Sequence, residues 1–511
     1  MESFIQFLIA RRTRQNISNL HCFGGVALAI IALCGLQGCN VGPRYRPPVM
    51  PAPPEFKEQG PQQAADGTTW KSAQPQDSVL RGKWWEIYQE PELNALEEKV
   101  VISNQNVAQA FANFTAARAQ IGQARSSLYP TVSVGPSYGR ARSSQTAGTS
   151  SASTNNPNSN LFNLPFDVSW EPDLWGRIRN TVHQYAFAAQ VSAADLANQT
   201  LTEQADLAIF YFQLRGQDAL EDLYRKTADA DRQGLALTRV QYRTGLANDE
   251  AVSQAEIALK TAEASATNAG IARAQYEHAI ALLVGEPASS FSIPVRSLTT
   301  QAPEVPVGVP SELLERRPDI AAAERTMAEA NALIGVEKAA YYPTVNLSGS
   351  VGFETTKFSQ WITSPSRYWS AGPTASETIF DGGLRKSTLS QYRALYNADV
   401  ANYRQVVLTA FQQAEDYLAS QRLLREQVAQ QQDVVQSAQR YLDVASARYR
   451  TGLDPYLNVF TAQTTLLANQ QTVIALRVQQ MSSSVQLIEA LGGGWNISQL
   501  PTERQVSAKL P

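Results

Sequence analysis

The residue best placed for covalent chemistry is Cys39, which closes the run Leu36-Gln37-Gly38-Cys39 after an apolar stretch from Phe23 to Leu36. Arg11, Arg12 and Arg14 stand before that stretch. Basic residues, an apolar core and a small residue at the cut make a signal peptide, here with a lipobox. Gly38 lets a peptidase in, and the Cys39 thiol accepts a diacylglyceryl group. The expected mature N-terminus is Cys39 with S-diacylglycerol and N-palmitoyl chains, residues 1–38 having left. The plainer reading is a secretory signal with an accidental cysteine; the spacing argues for the lipid. Asn40 rather than Asp follows, a pattern that in bacterial lipoproteins permits travel to the outer membrane. Glu2 and the long basic region leave open a start downstream of Met1.

Little else in the chain has the make-up of an enzyme. His183 and His278, the histidines beyond the leader, are solitary on helical stretches, and no Ser-His-Asp set, metal-ligand cluster or phosphate loop stands in a fitting context. No catalytic residue, metal site or soluble cofactor is expected. Cys22 and Cys34 leave with the leader, so one cysteine remains and no intramolecular disulfide can form. A formal charge of −3 over 511 residues gives nucleic acid nothing to bind.

These residues sit on a chain that repeats itself. Tyr242-Arg243-Thr244-Gly245-Leu246 recurs as Tyr449-Arg450-Thr451-Gly452-Leu453, and Tyr129-Pro130-Thr131-Val132 recurs as Tyr342-Pro343-Thr344-Val345. Gly176-Arg177-Ile178-Arg179 has a looser echo in Gly382-Gly383-Leu384-Arg385. Three markers in one order at nearly one period mean a tandem duplication. Repeat one spans 92–286 and repeat two 311–491; 39–91 forms a lipidated N-terminal segment, 287–310 a linker and 492–511 a tail.

Each repeat opens with a helix, from about Glu92 to Leu128 and from about Ser311 to Tyr341, ended by a Tyr-Pro step that proline imposes. The period then changes from helical to alternating. Val132 and Val134 lead out and Phe162, Leu164, Phe166, Val168 and Trp170 lead back; Val345, Leu347, Gly349, Val351 and Phe353 lead out in repeat two, with a blurred return near Trp369 to Thr378. One β-hairpin per repeat follows, at about 130–175 and 343–382. Strands of about ten residues, apolar on one face and small-polar on the other, are the outer-membrane barrel pattern. Trp170, Trp175, Trp361, Tyr368 and Trp369 near the strand ends suit interfacial girdles, with junction packing an equal reading for Trp175. Four strands cannot close a barrel, since single-chain barrels begin at about eight, so other copies must complete the edges. A dimer would give eight strands and a trimer twelve. The Ser143 to Asn160 stretch, nearly all Ser, Thr, Asn, Gly and Ala, reads as an external loop.

The longest elements follow, Ile178 to Thr244 and Leu384 to Arg450, both free of proline. At about 1.5 Å per residue each helix reaches ~100 Å, several times the ~30 Å hydrocarbon core of a bilayer, so they project into water. Return helices at 250–284 and 455–491 run back antiparallel. The glycine at each turn fits a helix C-cap. That leaves the identity of Tyr, Arg, Thr and Leu unexplained, and Arg243, Thr244, Gly245, Arg450, Thr451 and Gly452 are read as a docking edge for a partner protein.

With these motifs on view, the chain resembles the outer-membrane factors of tripartite efflux and type I secretion systems, in the NodT-like lipoprotein branch of the TolC channel-tunnel superfamily. The resemblance is carried by Cys39-Asn40-Val41-Gly42-Pro43 with Tyr45 and Pro47, Trp84-Trp85 with Pro91 and Leu93-Asn94, and Leu313-Leu314-Glu315-Arg316-Arg317-Pro318-Asp319-Ile320. Both Arg-Thr-Gly turns and Leu491-Gly492-Gly493-Gly494-Trp495 complete it. It implies a mainly α chain whose homotrimer forms a twelve-stranded outer-membrane β-barrel continuous with a periplasmic α-helical barrel and a mixed α/β equatorial belt. It further implies passive export of small molecules, powered by an inner-membrane pump of the resistance-nodulation-division type, with a periplasmic adaptor at the tips. Many relatives place aspartates just after the second turn, where this chain has Asp454, Asn458 and Thr461; Asp416 matches another family position linked to the constriction. These four are the gate candidates, since threefold symmetry triples any residue facing the axis. The competing class is a lipid-anchored periplasmic coiled-coil adaptor or envelope scaffold, which would lack the paired amphipathic hairpins.

Overall fold

The computed structural model describes residues 39–58, 82–142, 158–298, 300–305 and 310–508. The expected leader and most of the Ser/Asn-rich loop lie outside the described residues. A 3₁₀ turn at Trp84–Tyr88 precedes helices α1 (Pro91–Ser103) and α2 (Gln105–Ser126), strands β1 (Thr131–Val134), β2 (Ser137–Arg142) and β3 (Asn158–Trp170), and helices α3 (Arg177–Arg243) and α4 (Asp249–Leu283). Repeat two gives α5 (Leu313–Arg316), α6 (Pro318–Ala339), β4 (Thr344–Thr355), β5 (Arg367–Ser376), α7 (Leu384–Arg450) and α8 (Tyr456–Ala490), and the tail a single turn, α9 (Glu503–Val506).

The opening helix expected over 92–128 is two helices. Asn104, 3% exposed, has extended backbone and caps α2, accepting from the amides of Asn106 and Val107. Its amide also donates to Glu203 and to the Leu283 carbonyl, tying the break to both neighbouring helices. A buried Asn that satisfies three backbone groups outweighs the one helical bond it interrupts. The second opening helix breaks in the same way at Arg317, extended because Pro318 follows. The Arg317 guanidinium binds the Asp319 carboxylate at 3.0 and 2.6 Å, the Gln413 amide oxygen at 2.9 Å and the Ala490 carbonyl at 3.0 Å. One side chain thereby joins α6, α7 and α8.

The five strands form one antiparallel sheet in which β3 pairs with β4, so the two repeats join through their hairpins. The outgoing strand of repeat one is broken at Gly135-Pro136, and β1 and β2 both pair with β3. Pro165 of β3 lies opposite that break, where its missing N–H costs no ladder bond. In the register Val132 faces Val168, Val134 faces Phe166, Phe166 faces Val351, and Val351 faces Trp369. Directly opposed residues share a face, so one side of the sheet is apolar across four strands. The other side carries Ser133, Asp167, Ser169, Ser348, Ser350 and Ser370. The blurred return strand is explained too: on the apolar face β5 places Arg367, Trp369, Ala371, Pro373 and Ala375, mostly small residues.

Each long helix, α3 and α7, holds 67 residues. The opening and return helices of its repeat lie along it in series, α2 then α4 on α3, α6 then α8 on α7. A belt core between the two halves gathers Trp84, Tyr88, Leu93, Tyr211, Phe212, Ile280, Met481 and Val485. Towards the far end the two hairpins meet over small residues, Ala228, Ala251, Ala255, Ala445 and Ala462, around Tyr456 and Val459. Alanine at these spacings lets helices approach closely.

Candidate functional site

Three places along the long helices carry the residues singled out by the sequence. At the sheet end Cys39 is exposed and its thiol free. The residues after it are pinned: the Asn180 amide donates to the Asn40 side-chain oxygen at 2.9 Å, the Val41 amide to the Trp175 carbonyl at 3.3 Å, and the Asn331 amide to the Pro43 carbonyl at 3.0 Å. Farther on the Tyr45 hydroxyl donates to Glu324 at 2.6 Å, and Phe56 is buried among Leu313, Leu418 and Leu487. This strap fixes Cys39 beside the junction of strands and helices. Trp175 belongs to that junction rather than to a girdle. Its ring stacks on Tyr342 at 4.8 Å and its indole donates to the Pro343 carbonyl at 2.8 Å.

The apolar sheet face itself is the second place. Val132, Val134, Phe166, Val168, Val351 and Trp369 are all at least 39% exposed in the single chain. Aromatic side chains gather at the far edge of this face, where Phe162 meets Tyr138 at 4.8 Å, Phe358 at 5.5 Å and Trp361 at 5.6 Å. Phe162 and Trp170 are eight residues apart on β3, about 27 Å at strand rise. On a strand tilted by about 40° this is a height of about 20 Å, which falls within the ~25 Å apolar band of outer-membrane barrels.

The third place is the pair of turns. Thr244 and Thr451 cap the long helices; Gly245 at φ +75° and Gly452 at φ +74° supply the left-handed residue. The Leu246 amide donates to the Gln241 carbonyl at 2.8 Å and the Leu453 amide to the Arg448 carbonyl at 2.9 Å, the six-to-one bonds of a Schellman ending. Both threonine hydroxyls donate back to carbonyls of the last turn. The cap thus explains the glycines and the threonines. It does not explain Arg243 and Arg450, which are exposed and have no polar partner among the described residues, nor Leu246 and Leu453, 81% and 69% exposed. The Tyr449 hydroxyl donates to Gln241, so the two turns are held side by side. Gly245→Ala should cost about 1–2 kcal/mol at this cap with no clash, since a methyl there meets open space. Faster amide exchange confined to residues near 240–250 would show it.

The four gate candidates do not form one cluster. Asp454 is held below the usual carboxylate range by Arg448, which binds it at 2.6 and 3.1 Å, with Asn458 helping. Thr461 is exposed and bonds back to the Leu457 carbonyl at 2.8 Å. Asp416 lies 34 residues before the end of α7, about 50 Å from the turn at helical rise. It is exposed, with Gln412 beside it at 3.4 Å.

Sequence reasoning missed a buried ionic network in the belt. Asp218, 1% exposed, accepts from Arg215 at 2.9 Å, Arg273 at 2.6 Å and the Arg296 amide at 3.0 Å. Arg215 also reaches Glu92 and the Pro294 carbonyl, and Glu90 collects Tyr211, Arg296 and Thr300. The i,i+3 pair Arg215–Asp218 and the i,i+4 pair Arg273–Glu277 were the local signals.

Long paired helices, a strap from a surface cysteine and a sheet with an outward apolar face define a membrane-channel class of protein. The outer membrane efflux protein family model matches residues 97–286 and 309–493, in step with the two repeats. The toluene efflux pump outer membrane protein TtgC of Pseudomonas putida is 30% identical over 495 residues, 95% of this chain and 99% of that one. The cation efflux system protein CusC of Escherichia coli is 27% identical, over 90% of this chain and 96% of its own length. The solved outer-membrane channel OprN superposes with a TM-score of 0.80 at 28% identity, over 89% of this chain and 100% of that chain. The Campylobacter jejuni CmeC channel shares the fold at 22% identity and a TM-score of 0.81, over 90% and 96% of the two chains. The chain belongs to the outer membrane efflux protein family. It is an outer-membrane component of an efflux system, from a family of transport proteins rather than enzymes, and the scaffold reading is set aside.

Proposed function

We propose that three copies of this chain close their sheets into one twelve-stranded barrel and their helices into one tunnel, a passive conduit for small molecules. The observation that carries it is the sheet: apolar on one face across β1, β3, β4 and β5, with the free edges of β1/β2 and β5 at its two sides. An edge left open in a bilayer strands N–H and C=O groups without partners, and identical copies are the simplest completion. Cys39, beside the strand–helix junction, carries the diacylglyceryl and palmitoyl chains at the inner leaflet of the outer membrane. Arg243, Leu246, Arg450 and Leu453 form the docking edge for a periplasmic adaptor, and an inner-membrane pump supplies the energy.

Purified protein in planar bilayers tests the conduit: discrete single-channel openings support it, and their absence from a folded oligomer sinks it. Cys39→Ala tests the anchor, with metabolic palmitate labelling expected to vanish; label retained on the variant would exclude this cysteine as the acceptor.

A further inference from the structure

The seam between the two helical hairpins contains a carboxyl group that nothing in the cap or the docking edge uses. Asp231 lies on α3 and is 3% exposed, and its Oδ1 has no hydrogen-bond partner. Tyr456, the first residue of α8, is 4% exposed and its hydroxyl also lacks a partner. That hydroxyl sits over Gly234, one turn beyond Asp231; a methyl on Gly234 would lie 3.8 Å from it. Tyr456 belongs to the small-residue core where repeat one meets repeat two, and Asp231 is buried on α3 between two members of that core, Ala228 and Leu235.

The titratable groups facing Asp231 are few. From α8 it is Tyr456, pushed up to about 12 by burial and by the charge of Asp231. From α7 it is Tyr449, whose ring lies 5.3 Å from Tyr456 and whose hydroxyl is engaged by Gln241. From α4 the packed residues are apolar. The nearby charges Arg232, Glu263, Lys260 and Asp229 pair with one another outside the seam, as do Arg239 and Glu256. Among the described residues no cation therefore compensates an ionised Asp231.

We propose that Asp231 is a proton-operated lock between the two helical hairpins, holding the seam shut when protonated and loosening it when ionised. Burial without a donor penalises the carboxylate and tolerates the neutral acid, raising the group from an ordinary 3.8 to about 6. A closed-state value above the open-state value means the closed seam has its full stability below the ordinary carboxylate range and loses it as pH rises through about 6. A gap of about two pH units moves the open-to-closed ratio about a hundredfold between acid and mildly alkaline solution. The consequence for transport, an inner hairpin freer to swing at the tip as pH rises, rests on the channel reading; the lock does not.

Hydrogen exchange on the full-length oligomer, with labelling times scaled to equal intrinsic rates at pH 5 and pH 8, tests it. Protection of residues near 228–238 and 456–462 should fall about tenfold at pH 8 in the natural protein, and Asp231→Asn should stay protected at both. An unchanged pattern in the natural protein, or an equal loss in Asp231→Asn, overturns the lock. Because the readout is amide exchange, a failure of the oligomer to conduct would sink the channel reading and leave this result standing on its own.

Discussion

Asp218→Ala destabilises the folded chain by about 3–5 kcal/mol and loosens the segment from Ile293 to Arg296 against α3. The aspartate side chain is fully buried, and it is the carboxylate shared by Arg215 and Arg273. Breaking a buried pair by removing one partner leaves uncompensated charge, which costs far more than the pair itself contributes. Here the remnant is two guanidiniums, 2% and 13% exposed, brought together with the anion between them deleted. Arg215 keeps Glu92 and Arg273 keeps Glu277, which sets the loss at the single-partner range rather than beyond it. The Arg296 amide loses its acceptor as well, one of the bonds that fasten the 293–296 segment to the belt. A fall in the melting temperature of the oligomer, with new proteolysis between 285 and 305, is the measurement. Asp218→Asn, which keeps an acceptor oxygen, should fall between the natural protein and the alanine variant. A loss under about 1 kcal/mol would mean that water already reaches the network.

What was legible in the sequence and what was not divide along the range of the interaction. Both hairpins, both long helices and the returns followed from period and from Tyr-Pro, because those signals are local. The echo of Gly176-Arg177-Ile178-Arg179 in repeat two also has a local cause. Arg179 and Arg385 each bind an aspartate just upstream, Asp173 and Asp381, which accept from amides at the helix start. The break at Asn104 was harder, since Asn inside an apolar period reads as an exposed helical position; its reasons, Glu203 and Leu283, are remote in sequence. Asp218 and Asp231 looked like any acidic residue on a long polar helix. Their burial depends on segments arriving from Pro294 and from Tyr456, which no window of sequence contains. Asp416 and Asp454 were joined by analogy alone, and helix length separates them.

The largest functional effect belongs to the turns. Charge reversal of both tip arginines together with removal of both tip leucines, in Arg243→Glu, Leu246→Asp, Arg450→Glu and Leu453→Asp, should reduce efflux to the level of a strain lacking the protein. The caps do not use these side chains: Thr244, Gly245, Thr451 and Gly452 close the helix ends through their own backbone and hydroxyl bonds. The variant should therefore fold, reach the outer membrane in normal amount and conduct normally in a planar bilayer. Arginine is enriched at interface hot spots, where each truncation costs about 2 kcal/mol or more, and the exposed leucines beside it add apolar surface for a partner to bury. Reversed charge adds repulsion to that loss, and a symmetric oligomer repeats every change in each copy. At about 1.4 kcal/mol per tenfold, even one such contact per subunit is enough to empty the proposed docking edge at cellular concentrations. Drug susceptibility measured beside bilayer conductance separates the outcomes. Full susceptibility with intact channels places partner docking at the turns, whereas unchanged export would move the docking surface up the flanks of the helices, and lost conductance would show that these side chains hold the tunnel rather than its partner.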